Sequence, residues 1–203
     1  MEITVDAIKE LREMTSCGVI ECKNALEEAG GDMDKAKKIL QRRGLELAAK
    51  KGGREAKEGR VEAYIHQGAK IGVIVEVNCE TDFVARNSEF KRLTRDIAMQ
   101  VAASKPSYLN IADIPEKVIE KEKEIFKEQI LSNEKNKKKP KEVINKIIDS
   151  KLQKFYEETC LLEQPFIKDQ KLKVKGLIEQ AIVTLGENIV VRRFARYQLG
   201  EEL

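Results

Sequence analysis

At 203 residues the chain can fold as one medium domain, or as a small domain joined to a medium one. Charged side chains make up 36% of it, yet Lys+Arg 38 against Asp+Glu 35 leaves a net charge of only +3, so the surface is heavily charged but mixed in sign. That balance argues against a dedicated nucleic-acid binder, which gathers its basic residues on one face, and an aromatic share of 5% with no Trp leaves little for base stacking. Cys17, Cys22, Cys79 and Cys160 contain no Cys-x-x-Cys pair, and His66 is the only histidine. A zinc site therefore lacks its second pair of ligands, and free thiols in a reducing compartment are expected. A Cys–His nucleophile through His66 would lack a third group to orient it. The start of the chain, Met1 to Asp6, has neither a basic leader nor an apolar core, and no apolar run approaches membrane-spanning length. The protein is expected to work in the compartment where it is made.

Residues 4 to about 51 read as a helical unit. Thr4 caps a first helix with Val5, Ile8, Leu11 and Arg12 on one face, stopping near Ser16-Cys17-Gly18. A second helix is expected from about Ile20 to Ala29, broken by Gly30-Gly31, and Asp32 caps a third carrying Ala36, Ile39 and Leu40. Gly44 is expected to interrupt that third helix before Leu45, Leu47 and Ala48 add a further turn. So small a bundle is marginal alone, and such modules usually dock onto something. From Lys50 to Gly59 glycines and charges replace apolar residues, which marks a linker. Its Lys-Gly-Gly-Arg run lacks the spacing and the preceding strand of a phosphate-binding loop.

A second region begins at Arg60. Val61 to His66 alternates as a half-buried strand, Gln67-Gly68-Ala69-Lys70 turns, and Ile71-Gly72-Val73-Ile74-Val75-Glu76-Val77 returns as a strand rich in β-branched residues. Ser88 is expected to cap a helix with Leu93, Ile97, Val101 and Ala102 at helical spacing. The run Thr81-Asp82-Phe83-Val84 thus falls at a strand-to-helix junction. In one reading Asp82 caps the turn and Phe83 folds into the core; in the other, ring and charge are both presented to a partner. Pro106 ends the helix. Beyond it, Val118, Ile119, Ile125, Phe126 and Ile130 after Pro115, and Val143, Ile144, Ile147, Ile148, Leu152 and Phe155 after Pro140, predict two amphipathic helices. Joined through the polar stretch Ser132 to Lys139, they form an antiparallel coiled-coil-like hairpin at about 115–157. The Lys137-Lys138-Lys139 run reads as a solvated tip. Leu172, Val174, Leu177, Ile178, Ala181 and Ile182 predict a helix stopped at Gly186, and 188–199 a terminal strand. The fold class is α+β: a small N-terminal three-helix domain at 1–51, a linker at 52–59, and a core at 60–203. The core holds a three-stranded antiparallel sheet flanked by helices, together with the hairpin.

The string Glu76-Val77-Asn78-Cys79-Glu80-Thr81-Asp82-Phe83-Val84-Ala85 resembles the signature of bacterial-type elongation factor Ts, the family that exchanges the nucleotide of elongation factor Tu. Leu11 to Leu26 resembles the ubiquitin-associated-like amino-terminal domain of that family, with Val19-Ile20 where the family often has Met-Met. The segment Leu161 to Asp169 and the terminal Arg193-Phe194 strand extend the resemblance over most of the chain. It implies a translation factor rather than an enzyme: no bond is made or broken. The chain would bind elongation factor Tu carrying GDP through the turn Thr81, Asp82, Phe83 and Val84. The Phe would slot between apolar and histidine side chains, and the Asp would disturb the water shell of Mg²⁺. Arg12, Val19 and Ile20 would dock on the nucleotide-binding domain. GDP, GTP and Mg²⁺ would belong to the partner, leaving this chain without a cofactor, and neither nucleic acid nor membrane is an expected partner. Longer family members carry two core subdomains packed through their sheets, whereas this chain has one hairpin and one terminal strand. A homodimer through the core sheet is therefore expected. The implied location is bacterial cytoplasm, or the stroma of a bacterial-type organelle such as a plastid. Rival readings are a ubiquitin-associated-type binding module on an α+β scaffold without exchange activity, and a small cysteine enzyme built on Cys79 and His66.

Overall fold

A computed structural model describes residues 3–15, 17–132 and 140–201. In chain order they form helices α1 (Val5–Thr15), α2 (Val19–Glu28) and α3 (Met33–Lys51), strands β1 (Glu58–Ile65) and β2 (Ile71–Cys79), and helices α4 (Asp82–Arg86) and α5 (Ser88–Ser104). The helices α6 (Glu116–Ser132) and α7 (Lys141–Thr159) follow, then a ribbon of β3 (Pro165–Phe166) and β4 (Asp169–Lys173), helix α8 (Val174–Leu185) and strand β5 (Val190–Gln198). The fold is α+β, with a three-stranded antiparallel sheet in the order β1-β2-β5. These elements divide into two compact units: Met1–Glu62, Val75–Asp96 and Gly176–Arg192 form one, and Ala63–Ile74, Ile97–Lys175 and Arg193–Leu203 the other.

In the first unit, α1, α2 and α3 meet over Leu11, Cys22, Ala25, Leu26, Ala36 and Leu40, all buried. Leu11, Leu26 and Leu40 each contribute about 1.5–3 kcal/mol by leaving water. Asp32 caps α3 as expected, its Oδ1 accepting the Lys35 N–H at 3.0 Å, and that bond holds its carboxyl below the usual range. Gly44 does not interrupt α3, contrary to the sequence expectation: the helix continues unbroken to Lys51. The glycine is buried, and a Cβ there would stand 3.2 Å from Cγ2 of Val183 on α8. It permits a close helix–helix approach rather than ending a helix. The Lys51 ammonium donates to the Gly186 carbonyl just past α8, where Gly186 takes φ +77°. Gly59 on β1, at φ +144°, lies so close to β2 that an added Cβ would sit 2.2 Å from the Val77 carbonyl oxygen.

The strand β2 buries Val73, Val75, Val77 and Cys79 on one side. The helix α5 buries Phe90, Leu93, Ile97, Val101 and Ala102, confirming its predicted face. Its cap is Asn87 rather than Ser88: Asn87 Oδ1 accepts the Glu89 N–H at 2.8 Å and the Asn87 carbonyl accepts the Lys91 N–H at 3.0 Å. Ser88 is already helical.

In the second unit the hairpin turn closes through His66 N–H to the Ile71 carbonyl at 2.9 Å. Exposed His66 accepts or donates to the Tyr64 hydroxyl through Nδ1 at 2.9 Å. The helices α6 and α7 pack as the predicted pair, burying Ile130 and Leu152, with Lys151 Nζ 5.2 Å from the centroid of the Phe126 ring. The Lys137-Lys138-Lys139 tip and Ser16 lie outside the described residues. Leu172 was expected in the helix before Gly186 but belongs to β4, which pairs antiparallel with β3. Buried Gln100 ties this region together, accepting the Ile167 N–H at 2.8 Å and donating to the Pro165 carbonyl at 3.1 Å.

Candidate functional site

The end of β2 is buried as far as Cys79, and the chain then emerges through Glu80 and Thr81. Thr81 has the extended backbone of a helix cap, φ −128° and ψ 156°, and its Oγ1 accepts the Val84 N–H at 3.4 Å. The following helix α4 is a single turn of five residues. On it Phe83 is 80% exposed, so the ring does not fold into the core of this chain. Its benzyl side chain stands in water on that single turn. Thr81, Asp82 and Val84 are half-buried beside it. The Asp82 carboxylate pairs with the Arg86 guanidinium one turn on, at 2.9 Å. Arg86 was not singled out from the sequence, although its spacing of four residues on a helix was readable there.

A second set of residues holds the turn from below. The Glu187 carboxylate accepts the Glu80 and Thr81 N–H groups, each at 3.0 Å, and the Thr81 hydroxyl at 2.5 Å. Such ionic acceptors make short, strong bonds. Reciprocally, the Glu80 carboxylate accepts the Asn188 N–H at 2.6 Å, and the buried Asn188 amide donates to the Arg54 carbonyl at 2.7 Å. Arg54 itself lies 3.6 Å from the Glu80 carboxylate. None of Glu80, Glu187 or Asn188 was marked by local sequence, because their partners stand more than a hundred positions away in the chain.

Cys79 lies directly beneath. Burial, aided by the Glu187 and Glu58 carboxylates, pushes its thiol up to about 11 from an ordinary 9.0. The sulfur donates to the Thr81 carbonyl at 3.2 Å. It is a neutral structural thiol at physiological pH, the opposite of what a cysteine nucleophile needs. All four cysteines are free: Cys22, Cys79 and Cys160 are buried and Cys17 is half-buried.

The N-terminal candidates are also outward. Arg12 on α1 is exposed, and Val19 and Ile20, in the first turn of α2, are 53% and 74% exposed. Glu21 fixes that turn by accepting the Gly18 N–H at 3.2 Å. Among the described residues no group of three His, Cys, Asp or Glu is placed to hold a metal ion, and no described helix is long and apolar enough to cross a membrane.

The fold is α+β, and the side chains of Phe83, Arg12, Val19 and Ile20 face outward from it. The sequence profile of elongation factor Ts matches residues 33–201. A protein called elongation factor Ts from Thermodesulfovibrio yellowstonii is 57% identical over 201 residues, which are 99% of this chain and 98% of the relative. Elongation factor Ts of Carboxydothermus hydrogenoformans is 56% identical over 99% of this chain and 91% of its own length, and that of Thermotoga neapolitana 54% identical over the whole of both. The chain belongs to the elongation factor Ts family and is a translation elongation factor.

Proposed function

We propose that this protein binds elongation factor Tu in its GDP form and promotes release of the nucleotide, with the Asp82–Phe83 turn as the acting part. The observation that carries this is Phe83, 80% exposed on a turn whose entry is hydrogen-bonded to Glu187 and capped by Thr81. Protein interiors are packed too densely to admit an aromatic ring without moving their own side chains. Inserted beside a nucleotide pocket, Phe83 displaces residues by volume. Asp82 arrives with it and competes for the hydrogen bonds of Mg²⁺-bound water, and a diphosphate without its metal is held less tightly. The metal and the nucleotide belong to the partner in this reading. Arg86, at 2.9 Å from Asp82, holds the carboxylate in place until docking offers it other contacts.

Coupling is reciprocal: a factor that weakens GDP binding is weakened by GDP to the same extent. Each tenfold loss of GDP affinity requires about 1.4 kcal/mol of that coupling. Docking is assigned to Arg12, Val19 and Ile20. Two of these are apolar and more than half exposed, which suits a contact surface better than core. Self-association belongs to the same reading. Ile65 and Ile74 of the strand hairpin are 63% and 49% exposed, which favours a homodimer through the sheet. The test of exchange is release of a fluorescent GDP analogue from elongation factor Tu, with and without this protein. Acceleration in proportion to added protein supports the proposal; an unchanged rate in the presence of demonstrable binding favours a docking module without exchange activity.

A further inference from the structure

Phe83 is 80% exposed, no residue of α4 is buried, and a helix of five residues is too short to be stable by itself. Its direction is therefore set by the backbone at Glu80 and Thr81. We propose that Glu187 is a positioning residue for the exchange turn, acting through Thr81 on Phe83; the functional half of this rests on the exchange reading above.

The chemistry is one of committed donors. A carboxylate only accepts, and three donors converge on this one: the Glu80 N–H, the Thr81 N–H and the Thr81 hydroxyl. With its proton given to Glu187, the Thr81 oxygen keeps its lone pairs for the Val84 N–H, the cap bond that starts α4. One carboxylate thus fixes both the strand exit and the entry of the helix bearing Phe83. Glu80 and Asn188 repeat the linkage in the opposite sense, so the stretch after β2 and the stretch before β5 hold each other by side chain to backbone in both directions. Without Glu187 the two N–H groups turn to water, the threonine hydroxyl is free to rotate, and the ring samples several directions. Misplacement of an acting group by about 1 Å costs on the order of a hundredfold in rate when geometry is demanding.

The experiment uses the full-length protein. Release of a fluorescent GDP analogue from elongation factor Tu is measured over a concentration series for wild type, Glu187→Ala, Glu187→Gln, Phe83→Ala and the double variant Glu187→Ala/Phe83→Ala. Amide hydrogen exchange is followed in the free proteins. Glu187→Ala is expected to lower the saturating rate by about tenfold or more while the half-saturating concentration stays within about twofold. Glu187→Gln, which keeps one acceptor oxygen, recovers most of that loss. The double variant is expected to be slower than Phe83→Ala by much less than the Glu187→Ala factor, because Glu187 acts mainly through the ring and only Asp82 remains on the turn to be misplaced. The Glu80 and Thr81 amides exchange faster in Glu187→Ala while those of Val75 and Val77 do not. A Glu187→Ala protein with the wild-type saturating rate and unchanged Glu80 and Thr81 protection overturns the proposal, as does a double variant slowed by the product of the single effects. If Glu187→Ala fails to fold, Glu187→Gln carries the same comparison at smaller amplitude. If wild type itself leaves GDP release unchanged, it is the exchange reading that falls, and amide protection alone decides whether Glu187 holds the turn.

Discussion

At the scale of single residues, Phe83 and Cys79 stand near each other in sequence with opposite fates. Cys79 is fully buried, with its thiol kept protonated; Phe83 is out in water. The thiol has a consequence for stability. Its folded value, about 11, lies above the ordinary 9.0, so the unfolded chain ionises first as pH rises. The stability it contributes is complete below pH 9 and is lost as pH rises toward 11. Thermal melts across that window are expected to show a decline that is shallower in Cys79→Ala. Among the thiols, half-buried Cys17 is expected to react first with a thiol-specific reagent at neutral pH, ahead of Cys22, Cys79 and Cys160, as mass mapping of the labelled peptides would show. The exposed Asp82–Arg86 pair is worth little to the fold, about 0.2–1 kcal/mol. Asp82→Ala is therefore expected to leave the melting temperature nearly unchanged while slowing GDP release; an Asp82→Ala protein that exchanges at the wild-type rate would remove the carboxylate from the mechanism.

At the scale of elements, two glycines decide how closely neighbours pack. A Cβ at position 59 would lie 2.2 Å from a backbone oxygen of β2, in a conformation that side chains rarely adopt. Gly59→Ala is expected to cost about 1–3 kcal/mol, lowering the melting temperature by roughly 2–12 °C for a chain of this size. Gly44 on α3 meets only the end of the Val183 side chain, at 3.2 Å. There a leucine is expected to destabilise through overpacking by about 1–3 kcal/mol, and calorimetry of both variants checks the pair. These positions also show what sequence could and could not reveal. The strand from Ile71, expected to Val77 and found to run to Cys79, the Asp32 cap, the face of α5 and the paired helices α6 and α7 were legible because their signals are local: a β-branched run, helical spacing, a capping side chain before an apolar run. Gly44 was misread as a break because a glycine that stops a helix and one that admits a neighbour look alike until the neighbour is known. Leu172 was misplaced because an apolar residue at the edge of a helical pattern fits a short ribbon as well. Asn87 and Ser88 are both good caps, and only the backbone decides between them. The turn at Thr81–Val84 was legible as a junction; that Phe83 points outward was one of two open readings. The carboxylate of Glu187 was out of reach, since only folding brings it to Thr81.

At the scale of the whole molecule, docking and distortion are assigned to different side chains and are expected to separate kinetically. Charge placed on the exposed apolar turn of α2, as in Val19→Asp or Ile20→Asp, is expected to raise the half-saturating concentration about tenfold or more, the loss of one buried apolar contact, without lowering the saturating rate. Equal loss in both parameters would join the two roles. Sedimentation equilibrium at micromolar concentration with reductant tests the homodimer. A species of twice the monomer mass is expected, dissociating in Ile65→Lys, and a clean monomer would remove self-association from the account. In the proposed mechanism one exposed ring, Phe83, drives release rather than attachment. The saturating rate of GDP release from elongation factor Tu for Phe83→Ala against wild type decides this, with both proteins equally folded by circular dichroism and melting. A large loss of that rate is expected with binding largely retained; a Phe83→Ala protein that reaches the wild-type rate at saturation would leave the ring without a part in release.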